Sequence, residues 1–191
     1  MKLALFGTSD GGLVMGEGPF ERLSSPPPDG AVAFYRNDFA LSSERPWWVP
    51  TSVRVLPAGE RPVSGNPDAL EVDWEEPEVD PFAEVFGEVA QAIRAGSIEK
   101  SVPVATARGC LKAGERESLL NHLVGASAPL RPYAWVDDQD GCAGLSPELL
   151  FRLEGDRLET MALAGTARCE EHAAFAVDEK EIREHEFVAQ T

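Results

Sequence analysis

Three carboxylates and one lysine stand where their types and spacing can do chemistry. Glu148 ends the run Gly144-Leu-Ser-Pro-Glu148, in which Pro147 restricts Ser146 and fixes the local backbone. A carboxyl group so placed, at the mouth of a following strand, can donate a proton to a departing hydroxyl if its pKa is raised. Glu181 and Glu184 are three apart in a helical stretch, so their side chains project to nearly the same face. Hard oxygen donors presented this way suit Mg²⁺, which takes one or two protein carboxylates and leaves its other positions to water and substrate. Lys100 follows the turn Gly96-Ser-Ile-Glu99, and an amine there is a general base only if burial or a cationic neighbour drives off its proton. Each has an ordinary reading too: a surface lysine, a Ser-Pro-Glu turn, and a solvated acidic helix face with Glu179 and Glu186. His185 reads as a packing or hydrogen-bonding residue, and no HExxH zinc pattern is present.

The elements that must position these groups are legible in part. Residues 1–78 read as a β-rich N-terminal region, with short strands expected at Lys2 to Phe6, Ala31 to Tyr35 and Ser52 to Leu56. The Trp47-Trp48-Val-Pro50 patch reads as core or interface packing. The acidic, proline-marked stretch Glu71 to Asp80 reads as a linker or extended crossing segment. Residues 79–191 then form a second region. It opens with a helix from Pro81 to about Ala95, capped by Asp80, with Phe82, Val85, Phe86, Val89 and Ile93 on one stripe and Gly96 as its stop.

Ser101 to Ala107, interrupted by Pro103, is expected as a strand running out of Lys100. Glu115 to Val124 carries helical leucine spacing, and Tyr133 to Val136 reads as a strand. Leu149 to Leu153 and Arg157 to Leu163 form a hairpin about Gly155-Asp156. A last helix starts at Asp178 as cap, and Val188-Ala-Gln-Thr191 offers neither a glycine or asparagine cap nor a basic last turn, so the helix is expected to continue beyond Thr191.

Taken in order, Gly144-Leu-Ser-Pro-Glu148, Ala164-Gly165-Thr166 and Lys180-Glu181-Ile-Arg-Glu184-His185 resemble the signature of the chorismate-utilising enzymes. That family contains the isochorismate, salicylate, anthranilate and aminodeoxychorismate synthases. The resemblance covers roughly Phe82 to Thr191, the first half of the family's catalytic domain. It implies an α+β fold of orthogonally packed antiparallel sheets flanked by helices. It also implies roles: Glu148 as general acid, Gly165 and Thr166 lining the chorismate site, Glu184 as Mg²⁺ ligand with Glu181 beside it, and Lys100 as the base that activates water. Relatives that make anthranilate usually carry glutamine at the lysine position, so Lys100 tilts the implied activity towards isochorismate synthase, of menaquinone or siderophore pathways. A salicylate synthase, an anthranilate synthase component I-like enzyme and a non-catalytic fragment or binding module remain the alternatives. The family's second half supplies another metal carboxylate, an arginine and a tyrosine for substrate carboxylates, and a glycine-rich loop. The resemblance therefore implies that a C-terminal half completes the site and that these 191 residues alone turn over little chorismate.

Bulk properties exclude some classes. With 33 acidic against 17 basic residues the formal charge is −16, which repels nucleic-acid phosphates and anionic lipid surfaces. An acidic protein that handles a dianionic substrate needs local compensation, which a divalent cation supplies. Cys110, Cys142 and Cys169 are odd in number and widely spaced, as reduced cytoplasmic thiols are. The N-terminus lacks a signal-peptide core, and no apolar run approaches the roughly 20 residues a bilayer span needs. The chain reads as cytoplasmic.

Overall fold

A computed structural model describes residues 2–66, 70–76, 78–126, 130–138, 140–163, 165 and 167–190. Within them the chain divides into two units, residues 1–62 with 123–191, and residues 63–122. The first unit is built on a six-stranded sheet in the order β3-β4-β2-β1-β7-β8, every neighbouring pair antiparallel. Its strands are β1 (Leu3–Gly7), β2 (Leu13–Leu23), β3 (Phe34–Tyr35), β4 (Trp47–Leu56), β7 (Arg131–Val136) and β8 (Gly141–Ser146).

The sheet's centre follows from composition. β1 is apolar almost throughout, and Leu3, Ala4 and Leu5 in succession are buried, the pattern of a strand covered on both faces. Leu13, Met15, Leu56, Ala134, Trp135 and Val136 complete this core. Burying each large apolar side chain stabilises the fold by roughly 1.5–3 kcal/mol.

β4 begins at Trp47, earlier than the expected strand at Ser52, and its tryptophans pack as anticipated. Trp48 lies 4.7 Å from Trp135 and 6.2 Å from Phe20 between ring centroids, and Trp47 meets Tyr35 at 5.0 Å. The Arg22 guanidinium stacks 4.6 Å above Trp48, so the cluster is aromatic inside and cationic at its rim.

The remaining elements of this unit are short. β9 (Arg152–Glu154) and β10 (Arg157–Glu159) form the expected hairpin, pairing over three residues rather than the longer arms anticipated. A 3₁₀ turn at Cys169–Glu171 leads into α2 (His172–Phe175), and α3 (Glu179–Ala189) closes the chain. Asp178 caps α3 as expected, its Oδ1 accepting from the amides of Lys180 at 2.9 Å and Glu181 at 3.1 Å.

The second unit contains β5 (Glu71–Trp74) paired antiparallel with β6 (Gly109–Ala113), α1 (Val79–Arg94) and the start of a 3₁₀ helix at Arg116–Leu123. The stretch read as a linker or extended crossing segment contributes the extended β5. Three expectations are corrected. α1 starts at Val79, with Asp80 in its first turn rather than as its cap. A carboxylate there still favours the helix N-terminus electrostatically. Ser101 to Ala107 forms no strand; Pro103 lacks an amide for a ladder, and Gly109–Ala113 takes the pairing instead. The segment near Glu115 is helical but 3₁₀, with the Ser118 hydroxyl donating back to the Glu115 carbonyl at 2.7 Å. The whole is α+β. No helix among the described residues is long and apolar enough to cross a membrane.

Candidate functional site

β7 and β8 run antiparallel with Arg131 opposite Ser146 and Tyr133 opposite Gly144. The phenol of Tyr133 lies over Gly144, where a Cβ would stand 2.7 Å from its oxygen, so the glycine of the Gly-Leu-Ser-Pro-Glu run makes room for the ring. Beyond Ser146 the chain turns at Pro147, and the Glu148 amide donates to the Ser146 hydroxyl at 3.3 Å. Strand, proline and hydroxyl together set the position of Glu148.

Glu148 borders a cleft of about 500 Å³, a volume typical of small-molecule sites. Phe6, Tyr133, Leu145, Leu149 and Phe151 give it apolar walls, and Arg131 and Ser146 join Glu148 as its polar groups. The carboxylate of Glu148 is open to solvent.

A second group forms at α3. Glu181 and Glu184 are partly buried, and the Lys180 ammonium reaches both, 3.0 Å from Glu181 Oε1 and 3.3 Å from Glu184 Oε1. The two carboxylates therefore converge on one cation-sized position. Bonds to Glu181 and then Glu184 hold the Lys180 pKa above its usual 10.5. Gly165 lies against this group: a Cβ there would fall 2.8 Å from Glu181 Oε2 and 2.9 Å from the Phe175 ring, which any larger residue would displace. Ala164 and Thr166, the neighbours expected to share this segment's role, lie outside the described residues.

The structure thus brings Gly165, Glu181 and Glu184 together and sets Glu148 in its own cleft, whose described lining includes none of the three. Lys100 belongs to the unit of residues 63–122, where it is half-buried just after the turn that ends α1. As a donor set, two convergent glutamates fit Mg²⁺, with water and ligand completing its shell. Among the described residues no three His, Cys, Asp or Glu gather around one point.

A family of chorismate-binding enzymes matches residues 32–191, most of the chain and every group just described except Phe6. The protein is a member of the chorismate-binding enzyme family. No curated protein and no solved structure gives a significant match. The matched span takes in the Glu148 cleft from Arg131 onward, the Gly165 segment and α3.

Of this cleft the sequence reading found Glu148 and missed its apolar walls and Arg131. A lone arginine before Pro132 carries no spacing signal, and only the pairing of β7 with β8 puts it opposite Ser146.

Proposed function

We propose that the protein contributes an isochorismate synthase-type site, in which water adds to the chorismate ring as the allylic hydroxyl departs. The observation that carries the reading is Glu148, held by Ser146 and Pro147 at the edge of a cleft of small-molecule size. A general base, the role that the family resemblance gives to Lys100, takes a proton from water whose oxygen bonds to one ring carbon. The ring double bond shifts, the carbon–oxygen bond of the hydroxyl breaks, and Glu148 supplies the proton with which that oxygen leaves as water. One water enters and one departs, so the change is an isomerisation. Gly165 and Thr166 line the ring site in this reading, within antiparallel sheets packed orthogonally and flanked by helices. Glu181 and Glu184 would hold Mg²⁺, which supplies positive charge opposite a substrate carboxylate when bound.

Chorismate binding by the chain, and product formation with Mg²⁺ once a C-terminal half of the family's catalytic domain is supplied with it, test the proposal, with isochorismate, salicylate and anthranilate separated chromatographically. Chorismate is expected to bind and isochorismate to be the product. Turnover is expected to fall by about 10²–10⁴-fold in Glu148→Gln while chorismate affinity is kept. Salicylate as product would move the protein to the synthases that go on to eliminate pyruvate, and anthranilate formed with ammonium would remove the role of Lys100. Failure to bind chorismate would end the reading.

A second reading, a binding module without catalysis, is favoured by Lys180, whose ammonium already neutralises both candidate metal carboxylates. Lys180→Met separates the two. The enzyme reading expects Mg²⁺ affinity to rise severalfold once the competing ammonium is gone, and the module reading expects no Mg²⁺ binding in either form.

A further inference from the structure

Arg131 is the cleft's one cationic side chain among the described residues, and its surroundings are unusual for a guanidinium. The residue is half-buried, and its Nη1 is shielded from solvent without any hydrogen-bond partner. No carboxylate among the described residues lies within ion-pairing distance, although Glu148 borders the same cleft and the chain carries 33 acidic residues. A shielded guanidinium nitrogen without an acceptor costs stability, because it forfeits its bonds to water. A protein rich in carboxylates that leaves this cation unanswered has a seat for an anion from outside.

The walls say which anion. Phe6, Tyr133, Leu145, Leu149 and Phe151 offer a carbon surface, which suits a ring rather than a sugar or phosphate ester. One guanidinium with no lysine or histidine beside it matches the single charge and planar fork of a carboxylate better than a phosphate dianion.

We infer that Arg131 is a ligand-binding residue that receives the carboxylate of a small cyclic acid in the Glu148 cleft, with the ring against Phe6 and Tyr133. This rests on the cleft being the ligand site proposed above, and it gives the acidic protein a fixed cation there besides any metal at α3. Ser146 lies directly across the strand pair from Arg131, its hydroxyl engaged with the Glu148 backbone, which leaves Arg131 as the group that meets the carboxylate.

The test titrates the full chain calorimetrically with benzoate, with benzamide as its uncharged isostere, and with inorganic phosphate. Benzoate is expected to bind saturably and the other two at least about tenfold more weakly. Arg131→Met is expected to weaken benzoate by about tenfold or more, and Arg131→Lys to lie between, since lysine keeps the charge and loses the fork. Melting of Arg131→Met should be unchanged or higher than wild type, because an unsatisfied buried donor has been removed; a merely structural arginine would lower it. Equal binding of benzoate and benzamide, undiminished benzoate binding by Arg131→Met, or loss of the fold in both variants would overturn the inference. Chorismate separates it from the functional proposal. Benzoate held through Arg131 with chorismate ignored leaves the carboxylate seat standing and removes the isochorismate reading, whereas chorismate bound equally by wild type and Arg131→Met does the reverse.

Discussion

The strands around β1 and the helix α1 are both strongly apolar, yet they use that character differently. Leu3, Leu5 and Met15 are each at most 1% exposed, whereas α1 buries none of its sixteen residues, and Val85, Phe86 and Ile93 on its stripe are 42–55% exposed. Antiparallel neighbours on both sides of β1 satisfy its backbone and carry side chains that cover it. An amphipathic helix bonds its own backbone and needs no neighbour to exist as a helix, so its stripe defines a face without providing the cover. Periodicity therefore reports which side of an element is apolar, and pairing decides whether that side is dry.

The comparison can be broken first at the sheet's centre. Leu5→Ala is expected to cost about 2–5 kcal/mol, read as a large drop in the thermal midpoint; a loss below 1 kcal/mol would mean β1 is not the keystone described here. Asp178→Ala removes the two bonds that cap α3 and should cost about 1 kcal/mol, seen as faster amide exchange at Lys180 and Glu181 with little change in the sheet. Acid sharpens the contrast from another side. Asp10, Asp38 and Asp137, all in the sheet unit, have pKa values lowered from 3.8, chiefly by the Thr8 hydroxyl, the Ser42 hydroxyl and the Asp138 amide respectively. Because the folded values are depressed, their contribution is present above pH 3.8 and is lost as pH falls through those lower values. Denaturant midpoints that stay level from pH 5 to pH 2 would contradict this. The smallest effect is expected on α1, where Phe86→Ser should change stability by no more than about 0.5 kcal/mol; a loss like that of Leu5→Ala would erase the distinction between the two regions.

What could be read beforehand follows the same division. β1, α1, β7 and α3 announce themselves by apolar runs, helical spacing or a cap, and they were found close to their true limits. β2 was invisible because Gly16, Gly18 and Pro19 interrupt its pattern, and the strand accommodates them with a register shift between Glu17 and Phe20. β5 hid in acidic sequence, since a two-stranded ribbon that buries little demands no apolar alternation. Of the site, the ordered motifs exposed Glu148, Gly165, Glu181 and Glu184, while Lys180 as the bridge between two glutamates and Arg131 as a cleft wall depend on rotamers and strand pairing that no spacing encodes.

The sheet's order also has a consequence for synthesis on the ribosome. β1 finds one neighbour almost at once in β2, but its other edge belongs to β7, with Leu3 opposite Val136. Until translation has passed that point, an almost wholly apolar strand offers a row of free amides and carbonyls to any extended chain nearby. Slow passage through residues 57–130, or a temperature that loosens the early hairpin, should therefore favour inclusion bodies over native protein, and a chaperone that shields β1 during that interval should restore the yield.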